Sequence, residues 1–204
     1  MRTYYTNLKN KTDRTWTMVI YGQVPGSDNT PPLAWKTATV LPGERGGVQW
    51  QTSYDVTVAA PHKGDNRSFY AASQTLETEL GQEWEIVFKD GVQQLRRIGA
   101  LRPDRGDHIV IHNNSGLAAN PGVGMSGRTA VCKRDIPANA STQFKLPFTC
   151  YAALFRDAEP GEIIGRDVEV GPLELQFGKK NNVADIIATG TGDCVTMQCA
   201  YTSR

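Results

Sequence analysis

Apolar and polar residues alternate along nearly the whole chain, and this alternation limits what it can fold into. Trp16, Met18 and Ile20 share one side of a run whose other side carries Thr15 and Thr17. Val48 and Trp50 alternate with Gln49 and Gln51, and Trp84, Ile86 and Phe88 with Glu85 and Lys89. The same rule holds for Phe144, Leu146, Phe148 and Cys150, for Leu173, Leu175 and Phe177, and for Val195, Met197, Cys199 and Tyr201. A period of two is that of a strand with one face in a core and the other nearer water. Turn signals punctuate the runs. Lys89-Asp90-Gly91-Val92 reads as a tight hairpin because Asp-Gly tolerates positive φ. Pro42-Gly43 and Gly46-Gly47 read as turns ahead of Val48, and Lys180-Asn181-Asn182 separates two further runs. A dozen or more short strands at this spacing predict an all-β, single-domain antiparallel β-sandwich with long loops and little helix, spanning residues 1–204. The one helical candidate is residues 73–80, a turn or two or else an irregular connection, stopped by Gly81. Residues 22–32 read as a long surface loop, and no internal repeat is evident.

Charge and composition exclude several classes. With 22 basic and 21 acidic residues, the net charge of +1 lacks the basic excess of a nucleic-acid binder. The nearest approach to a basic patch, Arg96, Arg97, Arg102 and Arg105, is interrupted by Asp104 and Asp107. No segment is apolar for long enough to span a bilayer, and the first residues lack the apolar stretch of a signal peptide. The expected location is therefore cytoplasmic, with leaderless secretion or a trimmed signal as the alternatives. Cys132, Cys150, Cys194 and Cys199 form no Cys-x-x-Cys pair, so the expectation is buried free thiols and no structural metal, with a Cys132–Cys150 bridge as the alternative.

The residues that suggest chemistry are few. His108 and His112 flank Ile109-Val110-Ile111 and share a strand face, while Asp107 is expected on the opposite side. They are candidate ligand contacts rather than a metal site, because a metal needs further ligands. Residues 122–127, Gly-Val-Gly-Met-Ser-Gly, match the dinucleotide pattern Gly-x-Gly-x-x-Gly formally. No helix follows, so Gly122, Gly124 and Gly127 read as a structural glycine loop. Trp35 follows a proline-rich stretch and is a candidate exposed ring for a glycan. Neither the acidic clusters nor any nucleophile motif forms a catalytic constellation, so no catalytic residue and no cofactor are expected. Asn10-Lys-Thr, Asn66-Arg-Ser, Asn113-Asn-Ser and Asn139-Ala-Ser are formal glycosylation triplets, and Arg105-Gly106-Asp107 reads as a turn.

Several stretches, taken in order, resemble the RhiA family of rhizosphere-expressed bacterial proteins. They are Tyr4-Tyr5-Thr6-Asn7-Leu8-Lys9-Asn10, Leu33-Ala34-Trp35-Lys36, Ser53-Tyr54-Asp55-Val56, Ala72-Ser73-Gln74-Thr75, the glycine loop, and Leu173-Glu174-Leu175-Gln176-Phe177 ahead of residues 184–189. The resemblance spans nearly the whole chain. It implies an abundant bacterial product under quorum-sensing control in life beside a host, with no established catalytic centre and therefore no site residues to carry over. The expected function is non-enzymatic, by binding or by self-association through edge strands into a homo-oligomer. The alternatives are a lectin-like or toxin-like module for a glycan or host surface, and a metal-assisted enzyme built on His108 and His112.

Overall fold

The computed structural model describes residues 2–23, 30–64, 67–99, 102, 106–147, 149–165 and 168–204. Part of the 22–32 loop, Asp104 and Arg105, Asn66 and Phe148 lie outside the described residues. Sixteen strands run β1 (Thr3–Lys11), β2 (Trp16–Gln23), β3 (Lys36–Val40), β4 (Arg45–Gln51), β5 (Tyr54–Gly64), β6 (Arg67–Thr78), β7 (Glu83–Lys89) and β8 (Val92–Ile98), then β9 (His108–Asn113), β10 (Pro121–Met125), β11 (Arg128–Cys132), β12 (Ser141–Lys145), β13 (Thr149–Phe155), β14 (Val170–Glu174), β15 (Val183–Thr189) and β16 (Thr196–Thr202). The protein is all-β, and no helix among the described residues is long and apolar enough to cross a membrane. Residues 73–80 are the end of β6 and the turn after it, not a helix. The Asp90-Gly91 turn has positive φ at both positions, 53° and 80°, as the Asp-Gly signal requires.

The strands form four sheets of four, in the orders β16-β15-β1-β4, β14-β13-β2-β3, β11-β10-β5-β6 and β12-β9-β7-β8. Pairing is antiparallel except for β1 with β15 and β7 with β9, which are parallel. The first two sheets face each other through β3 with β4 and β14 with β16; the other two meet through β5 and β6 with β8. Contact between β2 and β11 joins the two pairs, and one apolar cluster, from Leu8 and Trp16 through Trp84 and Ile109 to Ile186, runs through all four sheets. β2 is the joint. It is buried on both sides, with Met18 and Ile20 in the main core and Val19 and Tyr21 in a second cluster with Ala34 and Ala153.

These orders contain a repeat that the sequence reading did not find. Advancing every strand of β16-β15-β1-β4 by eight places, with return to the start, turns it into β8-β7-β9-β12; β14-β13-β2-β3 becomes β6-β5-β10-β11. The parallel pairs exchange in the same way, since β1 lies beside β15 and β9 beside β7. The chain is therefore two halves of like topology, β1–β8 and β9–β16, each lending strands to the other's sheets.

Two buried corners repeat the correspondence atom by atom. After β1, the fully buried Asn10 donates through Nδ2 to the carbonyls of Arg14 (2.7 Å) and Val40 (3.0 Å). Its Oδ1 accepts from Thr12 N at 3.0 Å and from Thr12 Oγ1 at 2.7 Å. After β9, the fully buried Asn113 donates to the carbonyls of Leu117, Ile136 and Pro137 at 2.7, 2.8 and 3.1 Å. Its Oδ1 accepts from Ser115 N at 3.2 Å and from Ser115 Oγ at 2.7 Å. An amide has two acceptor sites and two donors, and both corners occupy all of them with chain that would otherwise bury unpaired backbone groups. These are two of the formal glycosylation triplets, and their amides are sealed inside the fold.

Candidate functional site

Trp35 is fully buried, which corrects the expectation of an exposed ring. Its Nε1 donates to the Met125 carbonyl at 3.0 Å, and its ring meets Trp50 edge-on at 5.3 Å between centroids. It fastens the two sheet pairs together, as suits a large ring with one polar atom that needs a partner.

The glycines are structural in their geometry. Gly122 and Gly124 lie within β10, and a register shift against β11 falls between Val123 and Gly124. A Cβ on Gly124 would fall 1.7 Å from the Arg128 carbonyl oxygen. Gly127 turns the hairpin with φ +74°, and its N–H donates to Asp55 Oδ2 at 2.6 Å. Burial raises the Asp55 carboxyl above its usual pKa while this N–H opposes the rise.

His108 and His112 do lie on one face of β9 and are half-buried. Asp107, however, belongs to the preceding turn and pairs with His108 Nδ1, contrary to the expectation that it faces away. His112 Nδ1 lies 2.7 Å from Ser141 Oγ, and its Nε2 lies 3.6 Å from Glu83 Oε2. Beside it, Glu85 binds Arg96 and Asn114, whose hydrogen bonds hold its carboxyl below the usual range. Among the described residues, no group of three or more His, Cys, Asp or Glu side chains is placed to hold a metal. The four cysteines are free thiols; Cys132 is buried, and desolvation pushes it up to about 12, whereas Cys194 is exposed rather than buried.

The pseudo-repeat points to a different place. On the sheet β16-β15-β1-β4, a cavity of about 520 Å³ is lined by Asn7, Lys9, Arg45, Asp185 and Ile187, with Leu8, Gly46 and Ile186 beneath. Register explains why it is open. Lys9 lies opposite Arg45 on one side and Ile187 on the other, and Asn7 lies opposite Gly47 and Asp185. Gly47 has no side chain to fill the space, and a Cβ there would fall 2.7 Å from Asn7 Oδ1 and from the Thr6 carbonyl oxygen. Asn7 Nδ2 donates to Asp185 Oδ1 at 2.8 Å, which orients that carboxylate. Neither Lys9 nor Arg45 makes an ion pair among the described residues. In the other half the corresponding positions are His112, Ser141 and Gln143, with Val110 and Glu83, and there the imidazole is engaged. A second cavity of about 530 Å³, bounded by His62, Arg67, Phe69 and Asp157, differs in that its cation is held by Asp157 at 2.6 Å and by Glu162 at 3.5 Å.

Sequence reasoning missed this site. Gly46-Gly47, read as a turn, lies inside β4, and the lining comes from β1, β4 and β15, which are far apart in the chain. The available signal was a strand with two glycines beside an arginine, since glycine inside a strand marks a close approach.

An all-β fold of two topologically alike halves, with a cavity bordered by Lys9 and Arg45, defines the class. The RhiA family matches residues 1–198, and the chain belongs to that family. No curated protein matches it.

Proposed function

We propose that this RhiA-family protein is a non-enzymatic binding protein whose cavity over β4, β1 and β15 takes an acidic carbohydrate. The observation that carries this reading is the pair of cations, Lys9 and Arg45, that border an open cavity without an ion-pair partner among the described residues. A guanidinium matches a carboxylate with two parallel hydrogen bonds, and an ammonium adds a point charge beside it. Asp185 and Asn7 supply an acceptor and a donor for hydroxyls, and Ile187 supplies an apolar wall. A ligand with one carboxylate and several hydroxyls satisfies this set; a neutral sugar leaves the cations unanswered. An acidic-sugar binder suits a host-associated, quorum-controlled bacterial product, the setting expected from the family resemblance.

Calorimetric titration with glucuronate and with glucose tests the reading. Glucuronate is expected to bind at least about tenfold more tightly, the worth of one charge-assisted contact near 1.4 kcal/mol, and Arg45→Ser is expected to remove the preference. Equal affinity for the two sugars, or no binding of either, contradicts it.

A further inference from the structure

Among the described residues, four open sheets leave eight edge strands, and seven of them carry a device that discourages pairing with a neighbour. β3 has Lys36, β4 Arg45, β6 Arg67 and Glu77, β8 Arg96 and Arg97, β11 Arg128 and β12 Lys145; β14 has Pro172 and Glu174. Charges and prolines on an edge are the usual protection against edge-to-edge association. β16 is the exception. Its seven residues, Thr196-Met197-Gln198-Cys199-Ala200-Tyr201-Thr202, include neither a charge nor a proline. It pairs with β15 over its whole length with no register shift, so it carries no bulge either.

The strand is held straight and left open. Met197, Cys199 and Tyr201 are half-buried against the core, while Thr196, Gln198, Ala200 and Thr202 are exposed. Tyr201 Oη donates to the Glu174 carbonyl at 3.2 Å and accepts from Gln176 N at 3.0 Å, which anchors the edge from inside. Beyond its bonds to β15, the only backbone hydrogen bond to residues 196–202 among the described residues is from Asn182 N to the Thr202 carbonyl at 3.1 Å. The outer row of the strand thus offers backbone donors and acceptors with no strand to meet them.

We propose that β16 is the interface for a second copy of this chain, paired antiparallel about a two-fold axis at Cys199. The strand is nearly self-complementary in that register. Thr196 lies across from the partner copy's residue 202, a threonine, and Met197 across from a tyrosine. Gln198 lies across from an alanine, and the two Cys199 face each other. No like charges oppose, threonine pairs and methionine–aromatic pairs are favourable across strands, and a two-fold interface needs one patch to meet itself. The two four-stranded sheets become one of eight. The interaction does not depend on the cavity being a sugar site, because no cavity-lining residue lies on β16.

Light scattering on the untagged chain across a concentration series tests this, with circular dichroism to verify folding. The wild-type chain is expected to approach twice its monomer mass as concentration rises. Thr196→Lys with Thr202→Lys sets lysine against lysine at both ends of the interface and is expected to give monomer. Thr196→Lys with Thr202→Glu sets lysine against glutamate and is expected to restore the dimer. Both variants alter only exposed side chains, so a folded monomer in the first and a folded dimer in the second support the register. A monomeric wild type, or two variants with the same mass, overturns the proposal.

Discussion

The two halves of the molecule share their corners and differ in their faces. At the corners, Asn10 with Thr12 and Asn113 with Ser115 make the same hydrogen bonds to chain on either side of a strand. On the faces, Lys9 and Arg45 stand where His112 and Ser141 stand in the other half, and Gly47 where Gln143 stands. One face bears an open cavity bordered by two cations; on the other, the histidine is engaged by Ser141 and Glu83. What both halves keep is what the topology requires. What only one half has is free of that requirement, and so it is where a binding function has room to reside.

The corners give the largest expected effect. Asn10→Ala takes the side-chain donor from the Val40 carbonyl and the acceptor from Thr12 N at a fully buried position, and leaves the Arg14 carbonyl only its bond from Thr12 Oγ1. At about 1–3 kcal/mol for each buried group left unpaired, a loss of roughly 3–5 kcal/mol of stability is expected in urea unfolding. Asn113→Ala should cost as much. A large difference between the two would break the equivalence of the halves.

The face comes next. Replacing Lys9 by His and Arg45 by Ser gives the first half the residues that the second carries at these two positions. Acidic-sugar affinity is expected to fall by tenfold or more, about 1.5–3 kcal/mol, with little change in stability because both side chains lie on the outer face. Retained affinity in a calorimetric titration would show that the open face is not the site. A smaller effect belongs to Trp35. Trp35→Phe leaves the Met125 carbonyl without its indole donor, a cost of about 1–2 kcal/mol in unfolding, and sugar affinity should not change. Lost affinity there would restore Trp35 as a ligand residue.

The smallest effect lies on the histidine face. Arg96 and Asn114 hold Glu85 below the usual glutamate range, so the folded state binds its proton less readily than the unfolded one. Its contribution is present above the unfolded pKa and is lost as the pH falls through the depressed folded value. Glu85→Gln should therefore lower stability slightly near neutrality, converge with the wild type in acid, and so flatten the acid limb of a stability profile. An unchanged acid limb would remove Glu85 from the account of that face.

How much of this was legible depended on range along the chain. Trp84, Ile86 and Phe88 were placed on β7 by alternation alone, although Phe88 is exposed and Glu85 buried, and Asp90-Gly91 announced its hairpin, because both signals are local. Alternation says which side chains share a face, not what the face meets. Hence β2, read as half-exposed, is buried on both sides, and Trp35 proved to be a fastener between sheets. The repeat was hidden because its signal is two short triplets, Asn10-x-Thr12 and Asn113-x-Ser115, which also spell glycosylation sites. The cavity was hidden because β1 meets β15 and β4 only in the fold, and Gly46-Gly47 carries the mark of a turn as readily as that of a strand.

The most direct measurement is amide shift perturbation in a ¹⁵N-labelled sample titrated with glucuronate. The account predicts shifts at Lys9, Gly46, Gly47 and Asp185, and none at His112, Ser141 and Glu83. Shifts on both faces, or on the second alone, would contradict the claim that the halves share a fold and divide the function.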